Sequence, residues 1–456
     1  MSQPAASRAS APRPDTTRPF QFPKFSHLTL ANGLQLYLAH YDRGPLVHIS
    51  VALVGGGQFD QPDKAGRTSL AGSLLDEGTQ QHSSVELAER VERLGGYLAT
   101  YADWDSMSAS IGALSANLGE GMSLLSEIVT GATVPDHEVE RVRKHRLAEL
   151  QRRRAQPGAR ASETLARSIY GTTAYGSPLQ GSDETIRDLG REDLVACIKN
   201  HATPEGASII AVGDIDTNDL VARVEENMGD WRGAPKLSPP SLEFESPAAI
   251  RIHLIDRPDS PQTELRLGHI GLSRTHPDFV ALQVMNSLLG GKFTSRINLK
   301  LREELGITYG ASTGFASRLG PGPFVVSSSV STDSAGIAVE EVLNEIRRLQ
   351  DEPVENHELE ETKSYLLGVF PYTLQSIEGL ASRLAELAIY SLPDDYYDKS
   401  LELIGRVDVK RISSLARQYL HPEKINVVAV GPAVELEPQL SRIAAVEVEP
   451  FDQAVD

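Results

Sequence analysis

The sequence predicts an α+β protein of two homologous domains, each an antiparallel-rich sheet flanked by helices. Three observations carry that prediction. The chain repeats itself: "HATPEGASIIAVGD" (His201 to Asp214) aligns without a gap on "YLHPEKINVVAVGP" (Tyr419 to Pro432), so that Pro204 and Pro422, like Gly213 and Gly431, stand 218 positions apart. Strand-like and helix-like segments come in blocks, without the strict alternation of a doubly wound fold. And 456 residues exceed one ordinary hydrophobic core.

Taken in order, residues 1–24 begin with "MSQPAASRASAPRPDTTRPF", rich in Pro, Ser, Ala and Arg with no apolar h-region. They read as a disordered tail and not as a secretory signal. The first domain is assigned to residues 25–231. Its "LQLYLAH" and "VHISVALVG" alternate or run apolar like strands, and "SVELAERVERLG" has helical spacing. In "GRTSLAGSLLDEGT" (Gly66 to Thr79) a helix is expected between Asp63 as N-cap and Gly78 as C-terminal glycine. Leu70, Ala71, Leu74 and Leu75 share its apolar side, while Ser69, Gly72, Ser73 and Asp76 share the other. Small, mostly polar residues at i, i+3 and i+4 form the kind of helix face that aims side chains at one point.

Further along, "DHEVERVRKHRLAE" (Asp136 to Glu149) resembles "NHELEETKSYLLG" (Asn356 to Gly368) at an offset of 220. The basic cluster "QRRRA" follows the acidic start at Glu138 and Glu140, an order that suits the helix dipole and reads as a solvated helix end. Residues 232–247, "RGAPKLSPPSLEFESP", read as an extended linker, and 248–450 as the second domain.

Composition narrows the function. A formal charge of −18 argues against nucleic-acid binding, which needs a surplus of cations. No apolar run reaches the roughly 20 residues of a membrane span, so no membrane partner is expected and a cytoplasmic location is the default. The single cysteine, Cys197, lies in an apolar-periodic segment and reads as a buried structural thiol.

The order and spacing of "LANGLQLYL", "GGGQFD", "GRTSLAGSLLDEGT", "LGGYLATYADWDS" and "AYGSPLQGSDETI", then "MNSLLGGKFTSRINLKLREELGITYG" and "LPDDYYDKSLELIGRVD", resemble the pitrilysin and insulinase superfamily of zinc peptidases. The likeness is to its short two-domain branch, which includes the mitochondrial processing peptidase and bacterial relatives, and it runs from about Leu28 to the last strand. It implies the LuxS/processing-peptidase-like metallohydrolase fold. The catalytic motif of that family is H-x-x-E-H on a helix, with two zinc-binding histidines and a glutamate that activates water. Superposed on this chain, the histidines fall at Ser69 and Ser73 and the glutamate at Gly72, so the metal site is degenerate. A further family glutamate ligand matches Glu149, which also reads as a plain surface carboxylate of a charged helix. His137, Glu138, Glu140 and His145 lie nearby without a two-histidine pattern, so no metal is expected in this chain.

The second half is different. Relatives carry an arginine and a tyrosine seven residues apart, matched here by Arg302 and Tyr309 in "LREELGITYG". Gly306 is expected to end the helix, leaving Arg302 in its last turn and Tyr309 in the next strand. The resemblance implies that the arginine bonds substrate carbonyls and the tyrosine supports the oxyanion. The bland alternative pairs Arg302 with Glu303 or Glu304 and packs Tyr309 in a sheet. Ala99 stands where relatives usually have asparagine on a substrate-pairing edge strand.

The resulting expectation is a noncatalytic, substrate-binding and oxyanion-supporting subunit of a heterodimeric zinc metalloendopeptidase acting on peptides. It would be inactive alone, with zinc and H-x-x-E-H in a homologous partner. The alternatives are a structural or binding scaffold with no proteolytic role, or an autonomous hydrolase using Ser69 or Ser73, which lack a nucleophile-elbow context. Heterodimer and homodimer both stay open.

Overall fold

A computed structural model describes residues 19–238, 244 and 247–451. Each half builds one six-stranded sheet. The first contains β1 (Ser26–Thr29), β2 (Gln35–His40), β3 (Leu46–Val54), β4 (Tyr97–Ala102), β5 (Ser106–Leu114) and β6 (Ala207–Gly213), in the order β1-β2-β6-β3-β5-β4. The second contains β7 (Arg251–Asp256), β8 (Thr263–Ile270), β9 (Thr308–Phe315), β10 (Pro323–Val330), β11 (Asn426–Gly431) and β12 (Val446–Pro450), in the order β12-β7-β11-β8-β10-β9.

The repeated segment read from the sequence supplies an interior strand of each sheet. β6 pairs parallel with β2 and antiparallel with β3, and β11 pairs parallel with β7 and antiparallel with β8. Both strands are buried along their whole length, which accounts for their continuous apolar run. Gly213 ends β6 at φ +151°, where a Cβ would stand 2.2 Å from the Leu46 carbonyl oxygen, so only glycine allows the crossing. β4 and β9 occupy matching sheet edges.

The two faces of each sheet are covered by different halves of the chain. On one face each sheet meets helices of its own half, with Leu70, Leu74, Leu124 and Ile128 in the first core and Leu282, Leu289, Val339 and Leu415 in the second. The other face is covered by a helix from the opposite half. Helix Pro157–Tyr170 packs Ala161, Leu165 and Ile169 against Ile255, Val428 and Val430 of the second sheet. Helix Ile377–Ile389 packs Leu380, Leu384 and Leu387 against Tyr37, Ala52 and Ile210 of the first. The two helices start 220 positions apart, the offset of the repeat itself. Each buried leucine stabilises by about 1.5–3 kcal/mol, so the exchange ties the halves together strongly.

A polar junction fixes the register of the halves. Asp105, in the turn between β4 and β5, accepts from Gln58 Nε2 (3.1 Å), Leu319 N–H (3.0 Å) and the Tyr390 hydroxyl (2.8 Å). Beside it, the Arg318 guanidinium lies over Trp104 and Tyr175 at 4.7 and 4.4 Å. Burial pushes the Asp105 carboxyl up to about 6.

The tail expected over residues 1–24 falls mostly on 1–18, outside the described residues. Within residues 19–24, Phe22 is buried, its ring stacked 4.7 Å from Tyr397, and Phe20 and Pro23 are partly buried. Phe20 and Phe22 anchor this stretch to Phe370 and Tyr397 of the second half, so the tail reading does not extend over it. Among the described residues no helix is long and apolar enough to cross a membrane.

Candidate functional site

The helix with the small polar face is short, Arg67–Gly72. Its N-cap is Gly66, not Asp63, which sits in a preceding 3-10 turn, Pro62–Lys64. Gly66 adopts φ +88°, and a Cβ there would come within 2.7 Å of Gly181, a contact a side chain would abolish. The helix stops at Ser73 as C-cap, and Gly78 belongs to a later bridge with Ser83. Leu70, Ala71, Leu74 and Leu75 enter the first core as the pattern requires. Thr68 reaches the buried Cys197 thiol, which burial pushes up to about 11, the behaviour of a structural and unreactive cysteine.

Above the polar face runs the long helix Asp136–Arg154. Its buried positions are Glu138 at the start, then Val139, Val142, Arg146 and Leu150, spaced for one face. Arg146 is only 8% exposed, and its guanidinium gathers the predicted positions around itself. Nη1 donates to Ser69 Oγ at 2.8 Å and Nη2 to Ser73 Oγ at 3.3 Å. Nε lies 3.4 Å from Glu149 Oε2, one turn further along the same helix. Nη1 also reaches the Gln180 carbonyl oxygen at 3.5 Å. Burial lowers the Arg146 pKa while Glu149 opposes that shift, and a guanidinium stays charged throughout the range in which proteins fold.

Sequence reasoning missed Arg146, although two signals pointed to it. Helical spacing sets it between Val142 and Leu150 on the apolar row, and the repeat aligns it with Leu366, which packs against the second core.

These residues do not fit a metal. Two serine hydroxyls and one carboxylate are a poor zinc set, and the cation already at their centre repels another. Among the described residues no group of three His, Cys, Asp or Glu side chains is placed to hold an ion. His145 is exposed, and His137, also exposed, only pairs with Glu138, whose carboxylate bonds Ser84 and Arg141. Glu140 pairs with Arg143. At Gly72 a Cβ would stand 2.9 Å from the Ala102 Cβ and 3.2 Å from backbone atoms of Tyr101 and Ala102. β4 therefore lies where a longer side chain would leave the helix. Ala99 is on this same strand, at the sheet edge.

The second pair is held otherwise. Leu299–Glu304 forms a π-helical turn, after which Gly306 at φ +65° redirects the chain into β9. Asn298 couples the two segments: its Oδ1 accepts from Ala311 N–H (2.9 Å) and its Nδ2 donates to the Phe293 carbonyl (2.6 Å). Arg302 is half-buried, with Nε 3.4 Å from Glu303 and its guanidinium 4.4 Å from the Phe293 ring centroid. Tyr309, on the edge strand β9, is 88% exposed and has no hydrogen-bond partner among the described residues. The Glu303 half of the bland alternative is present; a packed Tyr309 is not. The structure thus joins Ser69, Ser73 and Glu149 through Arg146. No hydrogen bond, ion pair or ring contact among the described residues links that cluster to Arg302 or Tyr309.

Two matched α+β halves, one bearing a plugged helix face and the other a half-buried Arg302 and an exposed Tyr309, define a peptidase-type two-domain fold. Residues 37–183 match the family model "Insulinase (Peptidase family M16)", and residues 188–366 match "Peptidase M16 inactive domain". The chain belongs to peptidase family M16. It is 22% identical over 405 residues to the uncharacterized zinc protease YmxG of Bacillus subtilis, covering 89% of this chain and 98% of that protein. It is 23% identical over 428 residues to a probable mitochondrial-processing peptidase subunit beta of Arabidopsis thaliana, covering 90% and 78%. Among solved structures it resembles the M16 inactive domain protein of Pseudomonas fluorescens, with TM-score 0.83, 24% identity and coverage of 90% and 98%. A Helicobacter pylori protease gives TM-score 0.85 at 18% identity, covering 90% and 100%.

Proposed function

We propose that this chain is the noncatalytic, substrate-binding and oxyanion-supporting subunit of a heterodimeric zinc metalloendopeptidase, acting on peptides in the cytoplasm. The partner would be a homologous subunit that carries H-x-x-E-H and the zinc, whose chemistry is activation of the attacking water. This chain would contribute Arg302, whose guanidinium donates to substrate carbonyl oxygens, and Tyr309, whose hydroxyl donates to the oxygen that gains charge as the peptide bond is attacked.

The observation that carries this reading is the contrast in satisfaction. Arg146 uses its donors inside the molecule, whereas the Tyr309 hydroxyl faces solvent without a partner among the described residues. An exposed donor on an edge strand is available to a second molecule; a buried, bonded one is not. The Arabidopsis relative is itself named as a subunit of a processing peptidase, which agrees with a role in an assembly.

The test is to purify the chain alone and mixed with a homologue bearing H-x-x-E-H, and to measure zinc content and peptide cleavage. The reading expects a zinc-poor, inactive chain alone and cleavage by the mixture that falls on Arg302→Ala. Full activity of the homologue without this chain would leave the scaffold alternative standing, which the Arg302–Glu303 pair favours.

A further inference from the structure

We infer that the Arg146 guanidinium is a resident cation that takes the place of a metal in the first half, so this site is closed to metal by an internal charge and not merely by missing histidines. The inference concerns this chain alone and stands whether or not it lends donors to a partner.

Without a cation here, the buried Ser69 hydroxyl would lose its donor beside core residues Leu70, Val142 and Leu150, and the half-exposed Glu149 carboxylate would lose its ion-pair partner. Buried oxygen atoms without partners are costly. A guanidinium answers this need better than an ammonium, because its planar fork offers five donors in fixed directions. Here Nη1 and Nη2 donate to different acceptors, Ser69 and Ser73, while the Glu149 carboxylate lies 3.4 Å from Nε as an ion-pair partner. The serines complement the arginine. Each hydroxyl is a small acceptor, while an imidazole at either position would need the space the guanidinium fills. Gly72 completes the set, since the absence of its side chain lets β4 close on the helix.

The consequence is that putting histidines back is not enough to bind metal. An ion held by Glu149 would share that carboxylate with a fixed positive charge, and the Coulomb repulsion at such range is strong. The experiment compares Ser69→His/Ser73→His with the same pair plus Arg146→Leu, which keeps apolar bulk on the buried row. Zinc stoichiometry after dialysis, zinc affinity and the zinc-dependent shift in Tm are measured for each. The double variant is expected to stay substoichiometric. The triple variant is expected to hold one zinc per chain, more than about 100-fold tighter, and to gain Tm on zinc addition. Equal zinc affinity in the two variants, or a folded triple variant that takes no zinc, overturns the inference.

A measurement on the unmodified chain guards against variants that do not fold. With arginine labelled at the guanidinium nitrogens, the Arg146 Nη protons are expected to exchange with water far more slowly than those of the half-buried Arg302. Exchange at the same rate shows a guanidinium that is not held, and contradicts the inference.

Discussion

The helix face of the first half and the edge strand of the second are two polar regions of one repeated architecture, and they differ in where their hydrogen bonds go. Around Arg146 three acceptors and one carboxylate converge on a buried guanidinium, all supplied from within the chain. At β9 the Tyr309 hydroxyl projects into solvent. The two regions thus differ in satisfaction: one spends its donors inside the chain, and the other leaves a hydroxyl without a partner among the described residues. A complete cluster contributes to folding; an incomplete one is poised for binding.

That contrast separates variants by readout. Tyr309→Phe deletes one hydroxyl that has no hydrogen-bond partner among the described residues. In a complex with a zinc-bearing homologue it should lower kcat by about 10²- to 10³-fold while leaving Tm unchanged. The opposite pattern is expected at Arg146→Ala, which leaves Ser69 and Ser73 without a donor and opens a cavity. Chemical denaturation should report a loss of about 1–3 kcal/mol. If stability fell at Tyr309 and held at Arg146, the comparison would be reversed.

Gly72→Glu should cost about 1–3 kcal/mol, since the first side-chain carbon already meets Ala102; a crystal structure would show β4 displaced. The junction between the halves gives a pH signature. Because the Asp105 pKa is raised on folding, from 3.8 to about 6, the folded state holds its proton more tightly. Stability from this group is present below the unfolded value and is lost as pH rises towards 6, by about 2–3 kcal/mol. Asp105→Asn should flatten the denaturation midpoint against pH over that window. Smallest of all, Arg302→Ala should change stability by less than about 0.5 kcal/mol, because its Glu303 partner is largely solvent-exposed.

Much of the fold was legible because it rests on local pattern. The offset of 218 located the segments that form β6 and β11, and their unbroken apolar runs fit strands buried along their whole length. The exchange of helices Pro157–Tyr170 and Ile377–Ile389 was not legible. An amphipathic helix announces that one face is buried, but not which sheet will cover it. The site divides in the same way. Ser69, Gly72, Ser73, Glu149, Arg302 and Tyr309 were all located by resemblance, and Gly306 added only where the helix carrying Arg302 ends. Arg146 escaped because it lies in a charge-rich helix, where one cation among many reads as solvated. Only the helical period and the alignment with Leu366 mark it as a core position.

The central claim is that this chain lends a hydroxyl to a hydrolytic centre completed by another molecule. It is tested most directly by single-turnover peptide cleavage in the complex with a zinc-bearing homologue, comparing the unmodified chain with Tyr309→Phe at matched complex concentration. The account predicts intact assembly, unchanged zinc content and a rate lower by about 10²-fold or more. An unchanged rate at full assembly would contradict it.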